Sequence, residues 1–268
     1  MADALEQYNV RLFYHLEGLR QVHHTELIRA LSSCKPTVVE LHEWARIVDY
    51  QYTLAPLSAA GSVVKGGRFN IGSDLDPAQF VPFPALYLAA NYETAYAERF
   101  GGPTAADRGA FTGQQYALRR PGSFSAVRLS GEAHQIFDLR RARVLERFVD
   151  IVRRFPMPDD LKHLAKELGK RPPWLITKSS QLRKGLLAAD WRAWPVQYGI
   201  PANPQVFGRL LLEAGFEGVV YPSTRGNDLC LALFPTALAA SDTHVELVDQ
   251  APNGVIARLD SDTWSQLV

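Results

Sequence analysis

Cysteine is scarce in this chain: Cys34 and Cys230 are the two among 268 residues. Two thiols cannot build a disulfide framework or close a zinc site made of cysteines. Net charge is nearly absent, with a formal value of +1. A general nucleic-acid binder needs a basic field along the phosphate backbone, so none is expected here. Arg140, Arg141, Arg143, Arg147, Arg153 and Arg154 cluster locally, but Glu146 and Asp150 interleave with them. That pattern predicts a solvated helix face. No apolar run reaches about 18 residues, so no membrane span is expected. The opening Met-Ala-Asp-Ala-Leu-Glu-Gln lacks the basic and apolar regions of a signal peptide. A reduced, cytoplasmic protein is the expectation, with export lacking a cleaved signal left open.

Several chemical motifs are missing as well. There is no GxGxxG and no phosphate loop, so neither a Rossmann nor a Walker-type site is supported. GxSxG is absent, which removes the basis for a serine-hydrolase triad. None of the seven histidines stands in HExxH or another metal spacing.

What remains is ordinary globular material, 47% apolar and 21% charged. The length suits one large domain, or one domain with a helical addition. Leu12, Phe13, Leu16 and Leu19 recur at helical spacing. Thr37 to about Tyr52, with Val38, Leu41, Trp44, Ala45 and Ile47, predicts a second helix after Pro36. Residues 1–55 are therefore expected to be a helical N-terminal extension.

From Pro56 the texture changes. Ala85 to Ala90 predicts a short strand. Asn91 can cap a helix over Tyr92–Phe100, which Gly101-Gly102 stops. Tyr116-Ala-Leu and Ser125 to Leu129 predict strands flanking Pro121-Gly122, and Ile136 to Leu139 another. Residues 141–204 are helix-rich, with a break at Pro156-Met157-Pro158 and tryptophans at Trp174, Trp191 and Trp194. Pro204 to Ala214 predicts an amphipathic helix ending at Gly215. Val219 to Tyr221 and Leu229 to Phe234 predict a strand pair around Pro222–Asn227. Strands paired through turns, without regular alternation with helices, make the class α+β.

Three constellations carry candidate chemistry. In Gly66-Gly67-Arg68-Phe69-Asn70 the glycines permit positive φ and close backbone approach. Arg68 offers a planar fork for phosphate or ribose oxygens. In the second, Tyr87 offers a flat face for a planar ring. Glu98 can accept a ribose hydroxyl and stabilise a developing oxocarbenium ion. In the third, Tyr221-Pro222-Ser223-Thr224-Arg225, Ser223 follows a strand and can hold another side chain or a ligand. Taken singly, these are a Gly-Gly turn, a partly exposed glutamate and a polar turn.

Taken together and in order, they resemble the RES domain family, named for its Arg, Glu and Ser. The pieces are Gly66–Asn70, Ala85–Ala89, Glu93–Glu98, and Gly218–Arg225 followed by Cys230–Phe234. The resemblance covers residues 57–240, and the span from Arg68 to Tyr87 looks extended. It implies an ADP-ribosyltransferase-like core of two packed, mainly antiparallel sheets within residues 56–268, with 141–204 as a helical insertion.

It also implies a toxin that consumes NAD⁺ as substrate, with no bound cofactor, by hydrolysis, phosphorolysis or ADP-ribose transfer to a protein. A cognate antitoxin would plug the site, and a homodimer is left open. Arg68, Tyr87, Glu98 and Ser223 are then the catalytic candidates. Gly67, Asn70, Arg225 and Asn227 are the substrate-binding ones. Tyr87 would stack on nicotinamide, and Ser223 would orient Arg68 or a ribose. The rivals are a protein-directed ADP-ribosyltransferase and a catalytically inactive binding module.

Overall fold

The structure is a computed structural model that describes residues 2–101, 124–170, 176–193 and 195–268. The expected strand at Tyr116, the turn at Pro121-Gly122, and Trp174 and Trp194 lie outside them. The chain opens with two helices, α1 (Ala2–Val22) and α2 (His24–Ser32). Strand β1 (Thr37–Asp49) and the short helix α3 (Ala60–Val64) follow. Next come β2 (Leu86–Ala89), α4 (Tyr92–Phe100) and the long β3 (Phe124–Asp138). Three helices, α5 (Glu146–Val152), α6 (Asp159–Glu167) and α7 (Ser179–Leu186), occupy the region before α8 (Asn203–Glu213). The hairpin β4 (Gly218–Pro222) and β5 (Leu229–Leu233) precedes β6 (His244–Leu247) and β7 (Arg258–Leu259).

The local signals in the sequence act as their chemistry predicts. Asn91 accepts the Thr94 backbone N–H at 2.8 Å and so caps α4. Gly101, at φ 86°, and Gly215, at φ 89°, terminate α4 and α8 in conformations that side chains disfavour.

The stretch expected as a second helix is instead β1, which pairs antiparallel with β3 over nearly its whole length. The physical reason is a bulge. Val39 and Leu41 are buried in strand alternation, then the register shifts between Leu41 and Trp44, where Glu43 takes φ 52°. The extra residue puts Trp44 three positions after Leu41, which imitates a helical repeat. The helical N-terminal segment is thus α1 and α2, and residues 37–49, expected as part of the extension, form a strand of the sheet.

The expected pair of packed sheets is one sheet. Its strand order is β1-β2-β5-β4-β3-β6-β7, and β1 also pairs with β3, so five strands close a circuit. All pairings are antiparallel except β3 with β4.

Alternation along β2, β4 and β5 divides the core. Leu86, Leu88, Val220, Leu231 and Leu233 enter one cluster with Trp44, Leu129 and Ile136. Ala89, Val219, Tyr221, Cys230 and Ala232 face the other cluster, with Tyr87 packed against it; Phe69, Phe137, Phe207 and the α2 leucines fill it out. That parity places Tyr87, Tyr221 and Cys230 on the same side of the sheet.

Candidate active site

A cleft of about 660 Å³ opens on that side. Its size falls in the range of small-molecule sites. Arg68, Tyr87 and Glu98 all line it, together with Gly66, Gly67, Tyr221 and Cys230. Three candidates from separate segments thus share one cavity. Tyr221 stands opposite Cys230, and Cys230 opposite Ala89, across β4, β5 and β2.

The Gly66–Asp74 loop is built around Asn70. Its Oδ1 accepts the Gly67 N–H at 2.8 Å and the Tyr87 hydroxyl at 2.9 Å. Its Nδ2 donates to the carbonyls of Ser62 and Phe83, each at 2.8 Å. Asn70 is fully buried. It was expected to bind substrate; with both ends of its amide engaged inside the protein, it braces the loop instead.

Neither Gly66 nor Gly67 has a positive φ, so the expected use of that freedom is not their reason. They are glycines because space is short. A Cβ on Gly67 would sit 2.4 Å from the Tyr87 hydroxyl, and one on Gly66 would sit 2.7 Å from the Gly72 nitrogen. The Tyr87 hydroxyl also accepts the Phe69 N–H at 2.9 Å. Burial pushes its ionisation well above the ordinary tyrosine range.

Glu98 is held by the β4–β5 turn. Ser223 Oγ donates to its Oε1 at 2.5 Å, and the Thr224 N–H donates to the same oxygen at 2.9 Å. Oε2 has no partner among the described residues. Ser223 Oγ in turn accepts the N–H groups of Arg225 and Gly226, at 3.1 and 2.6 Å. Asn91 Nδ2 ties the cap of α4 to Asp228 at 3.0 Å. Gly226 lets the turn approach α4, since a Cβ there would lie 2.9 Å from Thr94 Cα.

Arg68 is buried, and protein groups hold its guanidinium. Nη1 donates to the carbonyls of Leu186 and Ala188, at 3.1 and 2.9 Å. Nη2 donates to Thr224 Oγ1 at 2.9 Å. Burial holds its pKa below the ordinary arginine value, opposed by the neighbouring oxygens of Tyr221, Glu98 and Tyr87. The expectation for Ser223 is that it orients Arg68 or a ribose; Thr224 is the residue bonded to Arg68, while Ser223 holds Glu98. Arg225 is exposed and donates to the Glu98 backbone carbonyl at 3.3 Å. Asn227 is exposed on the turn, and neither residue lines the cleft.

Sequence reasoning missed Arg46, Trp191 and Arg192, which also line the cleft. Arg46 Nη2 donates to the Ser58 carbonyl at 2.7 Å, whereas its buried Nη1 has no hydrogen-bond partner among the described residues. Burial pulls its pKa down to about 10. The signal was a charge between the apolar Trp44 and Val48 of a strand, where a guanidinium needs a reason. A helical reading of that stretch hides it.

A family model described as the RES domain matches residues 43–253. The chain belongs to the RES domain family. Among solved structures it is similar to a chain of the M. tuberculosis MbcT–MbcA toxin–antitoxin complex. Identity is 16% and the TM-score 0.48, over 90% of this chain and 96% of that one. No match is found among curated proteins.

Proposed function

We propose that this chain cleaves the nicotinamide–ribose bond of NAD⁺ and acts as the toxin of a toxin–antitoxin pair. The observation that carries the reading is Glu98. Its Oε1 is fixed by Ser223 and Thr224, while Oε2 is left for a ligand in a cleft whose other acid, Asp49, is paired with Arg99 and whose lining includes Arg46, Arg68 and Arg192. Membership of the RES family supports it.

Cleavage of this bond needs no metal, because nicotinamide leaves readily from its cationic form. The enzyme must bind the dinucleotide and stabilise positive charge on the ribose. Glu98 Oε2 accepts a ribose hydroxyl and faces the developing oxocarbenium ion. Ser223 is a positioning residue rather than a nucleophile. Tyr87 borders the ring at the reacting end. Arg68 keeps the turn and the loop in register, and Arg46, which lines the cleft, offers its positive charge to the phosphates. Water or phosphate then takes the ribose, giving a glycohydrolase or a phosphorylase. An antitoxin would act by filling the cleft.

Expression in a bacterial host tests this reading. Cellular NAD⁺ should fall before growth stops with the wild type, and neither should change with Glu98→Gln. Growth arrest at constant NAD⁺ would refute the NAD⁺-cleaving activity, and unimpaired growth would refute the toxin.

A further inference from the structure

The end of α7 and the stretch that follows it are tied to the glycine loop. Leu186 and Ala188 give their carbonyls to Arg68. Arg192 donates to the Gly66 carbonyl at 2.6 Å and pairs with Asp74. Between these ties stands Trp191, a half-buried indole that belongs to neither hydrophobic cluster and lines the cleft. The Arg68 and Arg192 guanidiniums lie 5.5 and 5.8 Å from its ring. A large aromatic outside the core, walled into a cleft by cations, needs an occupant that suits both properties.

Glu98 Oε1 accepts the Thr224 N–H, Thr224 Oγ1 holds Arg68, and Arg68 lies over Trp191, so Thr224 and Arg68 stand between the carboxylate and the indole. The other acid on the wall, Asp49, is paired with Arg99. A cationic pyridinium therefore belongs beside Glu98, and it is repelled from an indole flanked by two guanidiniums. A neutral purine attached to anionic phosphates fits the Trp191 end on both counts.

We propose that Trp191 is the stacking surface for the adenine of the dinucleotide. This orients the substrate with adenine at Trp191 and the nicotinamide ribose at Glu98. The assignment rests on the NAD⁺-cleaving reading above.

Calorimetry with ADP and with nicotinamide mononucleotide tests it, each probe carrying one half of the substrate. Trp191→Ala should weaken ADP binding about tenfold, whereas Trp191→Phe should retain most of it. Nicotinamide mononucleotide should bind both variants as it binds the wild type. Equal loss of both probes, or undiminished ADP binding, overturns the assignment. As a second measure that needs only a conservative change, ADP should quench indole emission in the wild type and not in Trp191→Phe. Equal quenching in the two also overturns it. A wild type that cleaves NAD⁺ yet binds no ADP defeats this inference alone. One that neither binds ADP nor cleaves NAD⁺ defeats the proposed function beneath it.

Discussion

Ser223 Oγ donates to Glu98 Oε1 at 2.5 Å, joining two residues 125 positions apart in sequence. The same hydroxyl accepts two backbone N–H groups of its own turn, so its orientation is fixed from both sides. A hydrogen bond to a charged group contributes about 1.5–3 kcal/mol. Ser223→Ala should therefore lower kcat by about 10- to 100-fold and leave KM for NAD⁺ within about twofold. Steady-state kinetics checks this. A covalent ribosyl adduct on Ser223, seen by mass spectrometry, would contradict the positioning role.

Arg46 is expected to trade stability for binding. A buried donor without a partner costs about 1–3 kcal/mol, so Arg46→Met should not lower the thermal midpoint. KM for NAD⁺ should rise about tenfold or more, because the positive charge offered to the phosphates is lost. A lowered midpoint with unchanged KM would make Arg46 a structural residue.

Gly67→Ala should cost about 1–3 kcal/mol and most activity. The new methyl would meet the Tyr87 hydroxyl at 2.4 Å and the ring carbons at 2.5 Å. Tyr87 would have to move off Phe69 and Asn70. Gly61→Ala is the control: nothing lies within 4 Å of its Cβ, and it sits in α3. That change should be neutral or stabilising by up to about 1 kcal/mol. Chemical denaturation of both variants compares them directly.

Cys230 lines the cleft but should be inert. Burial, reinforced by the Glu98 charge, pushes its thiol up to about 12. At pH 8 the thiolate is about one part in ten thousand. Iodoacetamide should leave activity intact, and Cys230→Ala should stay active. Because the folded value lies above the ordinary 9.0, the folded thiol keeps its proton while the unfolded one loses it. Stability should fall as pH rises from about 9 to 12, and Cys230→Ala should remove that part of the slope. Inactivation by alkylation at pH 8 would refute the assignment.

Local grammar was legible in the sequence where it was chemically closed. Asn91, Gly101 and Gly215 marked their helix ends, and short apolar runs bounded by turn residues marked β2, β4 and β5 as strands. β1 has a helix-like sequence pattern because its bulge at Glu43 imitates a helical repeat, and its partner β3 is distant in sequence. Arg68, Tyr87 and Glu98 were legible as a group because each sits beside its own local marker. The division of labour among them was not. Which hydroxyl reaches Glu98 and which reaches Arg68 depends on a turn whose two residues, Ser223 and Thr224, are adjacent and chemically alike. Trp191 and Arg192 stayed hidden because only the path of the chain after α7 returns them to the glycine loop.

The central claim is that Glu98, held by Ser223 and Thr224, drives cleavage of the nicotinamide–ribose bond. The most direct test follows free nicotinamide from NAD⁺ with purified protein, with and without phosphate, for the wild type and Glu98→Gln. The account predicts release by the wild type and a loss of at least about 100-fold in the variant. Equal release by both, or none from the wild type under either condition, would contradict it.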